Sequence, residues 1–219
     1  EMLDQVYSIQ RLLGERVSNI VVMGSGEPMD NYENIVKFVR IISSEMGLNI
    51  SQRNITVSTC GIVPKIRQLA DEGLNITLAL SLHAPNDEIR KTIMPVANKY
   101  ALKDVISACD YYFKKTGRRV SYEYSLVAGV NDNIEEAKKL VKLVNGRNIH
   151  INLIPVNPIK ERDFKQSDKL KIKAFRDFLE KKGVNATVRR EMGRDIDGAC
   201  GQLRRRFIET NGGSESLEV

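Results

Sequence analysis

The chain has 219 residues, 42% hydrophobic and 28% charged, a composition ordinary for a soluble globular protein and long enough to bury about 70% of its unfolded surface in one large domain. Thirty-four basic residues against 28 acidic give a net charge of +6 and a pI near 9.2, which permits a polyanionic partner without requiring one. No apolar run approaches the ~18 residues of a membrane-spanning helix and no signal-peptide pattern opens the chain, so no membrane association is expected; the wide spacing of the three cysteines makes a reducing cytoplasm the expected compartment.

In chain order, short β-rich runs alternate with longer amphipathic segments. The expected strands are Asn19–Met23, Asn54–Thr59, Ile76–Leu82, Val120–Leu126, His150–Pro155 and Ala186–Arg190. After the first, "YENIVKFVRIISSEMG" places Ile35, Phe38, Val39 and Ile42 on one helical face, with Gly47 expected to stop the helix. "VPKIRQLADEG" closes at Gly73 and "KDVISACDYYFKKTG" at Gly117, the latter with two lysines in its last turn to complement the helix dipole. "NIEEAKKLVKLVNG" and "SDKLKIKAFRDFLEKKG" complete the set, both closed by glycine. Strand and helix alternating every ~25–35 residues predict βαβ units and a parallel sheet. Runs such as "ITLALSL" and "INLIPV" read as strands covered on both faces. An α/β barrel and a doubly wound sheet both fit, and each would build its site at the carboxyl ends of strands. The tail "NGGSESLEV" is small and polar; the expected division is a core over residues 1–210 and a disordered tail over 211–219.

Polar and small residues recur where the expected strands end. The first runs into Gly24-Ser25-Gly26-Glu27-Pro28, the second into Ser58-Thr59-Cys60-Gly61, the third into Ser81-Leu82-His83, and the fifth into Asn157-Pro158. Two glycines let a ligand approach the backbone closely. Pro28 holds Glu27 in extended geometry, and an acceptor-only carboxylate suits an ammonium or ribose hydroxyls. Taken singly, each feature has an ordinary explanation. "GSGEP" is not a dinucleotide fingerprint, Ser58 and Thr59 would serve as helix caps, and Asn157-Pro158 is a common turn pair. Their convergence on one edge is what marks a site. Of the two histidines, His83 at a strand end is a better candidate than His150 at a strand start.

The three cysteines, Cys60, Cys109 and Cys200, are far apart and form neither a disulfide framework nor a paired metal motif. Cys109 sits in the apolar stripe "VISACDYYF" and Cys60 also reads as structural. Cys200 lies in the polar, glycine-rich "RREMGRDIDGACGQLRRR", with five arginines within about ten residues favouring its thiolate. Of the basic clusters, Lys114, Lys115, Arg118 and Arg119 read as a solvated face, whereas Arg204–Arg206 adjoin Cys200 and suit phosphate contacts.

"VVMGSGEPMDN", "VSTCG", "LALSLHAPND", "RKTIMPVANKY", "EYSLVAGVND", "NLIPVNP" and "VRREMGRDIDGACGQL", in this order, resemble the radical-SAM methyltransferases that modify carbon 2 of adenine in 23S ribosomal RNA and tRNA. The resemblance runs from Met2 to Leu203, and the last motif is its most specific part. It implies a partial (β/α)6 barrel with S-adenosylmethionine and a 4Fe–4S cluster at the carboxyl ends of its strands. Gly26 and Glu27 would then contact the methionine amino group of the cofactor. Ser58, Ser81, Leu82, His83 and Asn157 would line the rest of the pocket, and Cys200 would be the methyl-carrying cysteine. In such enzymes one cofactor molecule methylates the cysteine and a second is cleaved to a radical that activates the S-methyl group for attack on the ring. The base is expected to be extruded from its stack to reach the pocket.

The chain departs from this family in several respects, and the family's amino-terminal RNA-binding domain is among the parts expected to be missing. The family's CxxxCxxC cluster motif, the first strand and cluster loop, and a further catalytic cysteine have no counterpart here, so this chain does not ligate the cluster with three thiolates. The expectation is therefore that this chain alone has no methyltransferase activity and acts as a monomer. Ser25 stands where a methionine is usual. Carbon-8 methylation of the same base fits the motifs as a second reading. A non-catalytic nucleotide- or RNA-binding α/β scaffold is a third, and a barrel acting on phosphorylated metabolites, which would need a phosphate loop, is a fourth.

Overall fold

The computed structural model describes residues 1–156 and 164–189. Its elements, in order, are α1 (Met2–Leu13), β1 (Ile20–Val22), α2 (Tyr32–Ser43), β2 (Ile55–Thr59), α3 (Val63–Asp71), β3 (Thr77–Ser81), α4 (Asp87–Ile93), α5 (Leu102–Thr116), β4 (Val120–Leu126), α6 (Ile134–Val144), β5 (Ile149–Pro155), α7 (Lys169–Lys181) and β6 (Ala186–Val188). The six strands are all parallel and lie in sequential order from β1 to β6. Right-handed crossovers that always step in the same direction place their helices on one side of the sheet. The order never reverses, so the choice between a doubly wound sheet and a barrel falls on a partial α/β barrel. None of the described helices is long and apolar enough to cross a membrane.

The strands carry two kinds of residue in alternation. Toward the helices, Ile55, Val57, Leu78, Leu80, Tyr122, Tyr124, Ile151 and Leu153 are fully buried against Val39, Ile42, Ile66, Val105, Tyr112, Leu140, Phe175 and Leu179. Within that layer the Tyr124 and Phe175 rings pack at 5.6 Å between centroids, and the Tyr112 hydroxyl donates to the Ile76 carbonyl at 2.8 Å. On the other face, register aligns Ser58, Ala79, Ser121 and His150 in one row and Ser81, Glu123, Asn152 and Thr187 in the next. The expectation of strands covered on both faces is thus corrected. The concave face is polar, and the apolar runs arise because Ala79 and Leu82 fall next to core positions.

Helix ends follow the expected chemistry with one exception. α5 ends at Gly117, whose φ of 66° is the left-handed conformation that glycine adopts without a Cβ penalty. α6 and α7 are capped by Asn133 and Asp168, each side chain accepting from a first-turn N–H. α2, however, stops at Ser43, short of Gly47. A Cβ at Gly47 would lie 2.2 Å from the Ile41 carbonyl oxygen, so this glycine permits the chain to fold back onto the finished helix. Two helices, α1 and α4, were not anticipated.

Candidate functional site

The carboxyl ends of β1, β2 and β3 are joined by side chains from the expected site residues. After β1, Gly24, Ser25 and Gly26 are exposed. Gly26 has φ +85°, and no atom lies within 4 Å of where a Cβ would stand at Gly24 or Gly26. The bare backbone therefore faces open space, as a ligand-contacting turn requires. Glu27 is extended (φ −99°, ψ 116°) ahead of Pro28, as expected for a residue preceding proline. Its Oε1 accepts from Met29 N at 3.1 Å and its Oε2 from Cys60 N at 2.7 Å. The carboxylate thus ties the β1 loop to the β2 loop, and each oxygen retains acceptor capacity for a further donor.

Ser58 and Thr59 do not cap the next helix. The Ser58 hydroxyl donates to the Val22 carbonyl at 3.0 Å, a second tie between the strand ends, and Thr59 Oγ1 accepts from Gly61 N at 3.1 Å. Burial, reinforced by the Glu27 carboxylate, pushes the Cys60 thiol up to about 12, and burial does the same for Cys109. The thiolate is the reactive form, so iodoacetamide at neutral pH is expected to spare both cysteines in the folded protein and label them after denaturation. Rapid labelling of native Cys60 would contradict this.

At the end of β3, Leu82 is fully buried in the core and offers the rim only its backbone. The amides of Leu82 and His83 both donate to the Glu123 carbonyl, at 3.0 and 3.1 Å. His83 has φ 56°, an uncommon conformation for a residue with a Cβ. Its Nδ1 accepts from Ser125 N at 3.0 Å, which places the ring proton of the neutral form on Nε2. Burial and then the nearby Arg90 charge lower its pKa to about 4. His83 is therefore a neutral Nε2–H donor at neutral pH, unsuited to general base work through Nδ1.

Asn157, Cys200 and Arg204–Arg206 lie outside the described residues, as do Arg190 and the tail over 211–219. The other basic cluster is engaged locally: Lys115 pairs with Asp71 at 3.0 Å and Arg118 donates to Thr77 Oγ1 at 3.1 Å.

Sequence reading passed over a second polar group on the concave face. Asn152 Nδ2 donates to Glu123 Oε1 at 2.8 Å, Ser121 Oγ to the same oxygen at 3.1 Å, and Thr187 Oγ1 to Asn152 Oδ1 at 3.1 Å. His150 Nε2 lies 3.0 Å from Thr187 Oγ1. Ser121, Glu123, His150 and Asn152 line a cavity of about 790 Å³ that also includes Thr56, Thr77 and Arg118. The cavity runs from Gly117 and Asn148, ahead of β4 and β5, to Met23 and Arg189 just past β1 and β6, and its Glu123 is the strand partner of Ser81. The alternation of Ser121, Glu123 and Ser125 in "VSYEYSL" was the available signal.

The rim suits S-adenosylmethionine: a carboxylate with free lone pairs for an ammonium, an exposed backbone turn, and a neutral imidazole donor. The cluster is different. Among the described residues no group of three His, Cys, Asp or Glu side chains is placed to hold a metal ion. Cys60 and Cys109, the free cysteines of the described residues, belong to no such group.

The sequence profile of the Radical SAM superfamily matches residues 2–144. Proteins named "Probable dual-specificity RNA methyltransferase RlmN" from Lachnospira eligens and Lachnoclostridium phytofermentans are 67% and 70% identical to this chain over 209 residues, 95% of its length. The chain spans only 60% and 59% of those relatives. A radical SAM methyltransferase structure from Sphaerobacter thermophilus superposes with a TM-score of 0.89 at 45% identity, covering 93% of this chain and 61% of that one. A domain of pyruvate-formate lyase-activating enzyme from Bacteroides vulgatus, at 15% identity and TM-score 0.61, shares the fold alone.

Proposed function

The chain belongs to the radical SAM superfamily, and from that premise we propose that it is the cofactor-binding and methyl-carrying part of an enzyme that methylates carbon 2 of adenine in 23S ribosomal RNA and tRNA. The reading rests on one observation. Glu27, Ser58, Ser81 and His83 stand at the carboxyl ends of three adjacent strands, hydrogen-bonded into one rim, in a chain 67% identical to a named RNA methyltransferase.

When bound, S-adenosylmethionine supplies the methyl group. Glu27 would accept from its ammonium, and the open Gly24–Gly26 turn would let that end of the ligand lie against backbone. The Nε2–H of His83 would be available to donate to an acceptor on the ligand without changing protonation state. Cys200 would take the methyl group on sulfur and carry it toward the base, and Asn157, two residues after β5 in the sequence, would line the rest of the pocket. The net basic charge, with Arg204–Arg206 beside Cys200, favours an RNA substrate. The protein acts as a monomer in the cytoplasm, with the iron–sulfur ligands supplied from outside the residues of this chain.

Tandem mass spectrometry of the protein isolated from its native cells, focused on the peptide holding Cys200, tests this reading. One added methyl on that sulfur is the expected result. An unmodified sulfur in every copy would remove Cys200 from the reaction.

A further inference from the structure

Arg90 is the largest fully buried side chain of the described protein. It stands on α4, whose start is set by Asn86 accepting from Ile89 N at 2.9 Å. Arginine is almost never fully buried without a paired charge, yet among the described residues no carboxylate lies within ion-pair distance of Arg90. Its partners are backbone carbonyls. Nε donates to Leu82 O at 3.2 Å, and Nη2 donates to Cys60 O at 2.6 Å and to Ser81 O at 3.4 Å. Nη1 is buried and has no partner among the described residues. Burial lowers the pKa of the group, partly offset by charges nearby.

A buried cation held only by dipoles costs several kcal/mol and is a poor device for stability alone. Its position suggests another use. The carbonyls it gathers belong to the ends of β2 and β3, the two segments that carry the rim. Cys60 is gripped at both ends of its backbone, the amide by Glu27 at 2.7 Å and the carbonyl by Arg90. The β1, β2 and β3 loops are therefore joined in series, Glu27 to Cys60 to Arg90 to Ser81 and Leu82. The guanidinium is a rigid planar fork, so it sets a spacing that a flexible ammonium would not. Gly61 completes the arrangement. A Cβ there would lie 3.2 Å from Arg90 Nη2 and 3.1 Å from Val105 Cγ1, at φ +107°, so the loop can close over Arg90 only with glycine.

We propose that Arg90 is a positioning residue that holds the Cys60 and Ser81–His83 loops at the separation needed for Glu27 and His83 to engage one ligand. The identity of that ligand rests on the reading given above; the clamp itself rests on the geometry. The Arg90 side chain is fully buried beneath the rim. It acts through the backbone it fixes.

The test compares the wild-type chain with Arg90→Met and Arg90→Lys by hydrogen–deuterium exchange and by equilibrium dialysis against S-adenosylmethionine. Loss of charge-assisted bonds to three carbonyls predicts, in Arg90→Met, roughly tenfold or faster exchange over residues 60–62 and 81–84, with residues 149–155 unchanged, and a dissociation constant weakened by about tenfold. Lysine can keep one carbonyl bond and is expected to recover part of both effects. If Arg90→Met does not fold, Arg90→Lys decides through the same two readouts. Unchanged rim exchange, or unchanged cofactor affinity despite a loosened rim, overturns the proposal. If the wild-type chain fails to bind S-adenosylmethionine while rim exchange responds as expected, the cofactor reading falls and the clamp stands.

Discussion

Asn131→Ala is expected to lower the unfolding free energy by about 3–5 kcal/mol, seen as a lower urea midpoint with an unchanged slope. Asn131 is fully buried and every polar atom of its side chain serves the loop between β4 and α6 or the rim. Oδ1 accepts from Val127 N at 2.7 Å, and Nδ2 donates to His83 O at 2.8 Å and to Ser125 O at 2.7 Å. Its own carbonyl accepts from the buried Tyr124 hydroxyl at 3.1 Å. Alanine leaves one buried N–H and two partly buried carbonyls without these partners, each costing about 1–3 kcal/mol before relaxation. The His83 carbonyl matters most, because that residue holds a left-handed backbone that itself costs roughly 1–2 kcal/mol. Asn131→Asp, nearly isosteric, should be no milder, since it loses both donors and turns a carboxylate toward two carbonyls. A loss below about 1 kcal/mol would mean that water replaces the amide.

Acidification supplies the second large effect. His83 titrates near 4 in the folded protein against about 6.5 when unfolded. Between those values the unfolded chain binds a proton that the folded chain refuses, so stability is complete above pH 6.5 and falls as the pH drops toward 4. The full loss from this residue is about 3 kcal/mol. His83→Asn, which tolerates a left-handed backbone, should flatten the slope in that window. Carboxylates with lowered pKa values, such as Asp71 held by Tyr111 and Lys115, act at lower pH and should be unaffected. An unchanged slope in His83→Asn would show that the ring titrates alike in the folded and unfolded states.

The two effects share a cause. His83 is placed by Asn131 from one side and by Ser125 from the other, and Arg90 holds the Leu82 carbonyl just before it. A strained residue persists only where its surroundings over-determine it, and such residues cluster at functional positions. Of these four residues, only His83 stood out beforehand. Asn131 sits in "GVNDN" and Arg90 in "NDEIRKT", contexts that look like an ordinary turn and an ordinary solvated helix.

What the sequence determined by itself is local. The alternation of strand and helix, the glycines that end α5, α6 and α7, the extended Glu27 ahead of Pro28, and the gathering of polar residues at strand ends all follow from short-range sterics, periodicity and capping, which act within a few residues. What only the tertiary structure decided depends on partners distant along the chain. The barrel-like order of the strands required knowing which strand pairs with which. The polar concave face followed from that order, because helices then cover one side only. The pairing of Glu27 with Cys60, the tautomer of His83 and the burial of Arg90 depend on loops from three strands meeting at one edge. A guanidinium reads as a surface charge in any window of sequence, and becomes a clamp only where the fold surrounds it with the carbonyls of two other loops.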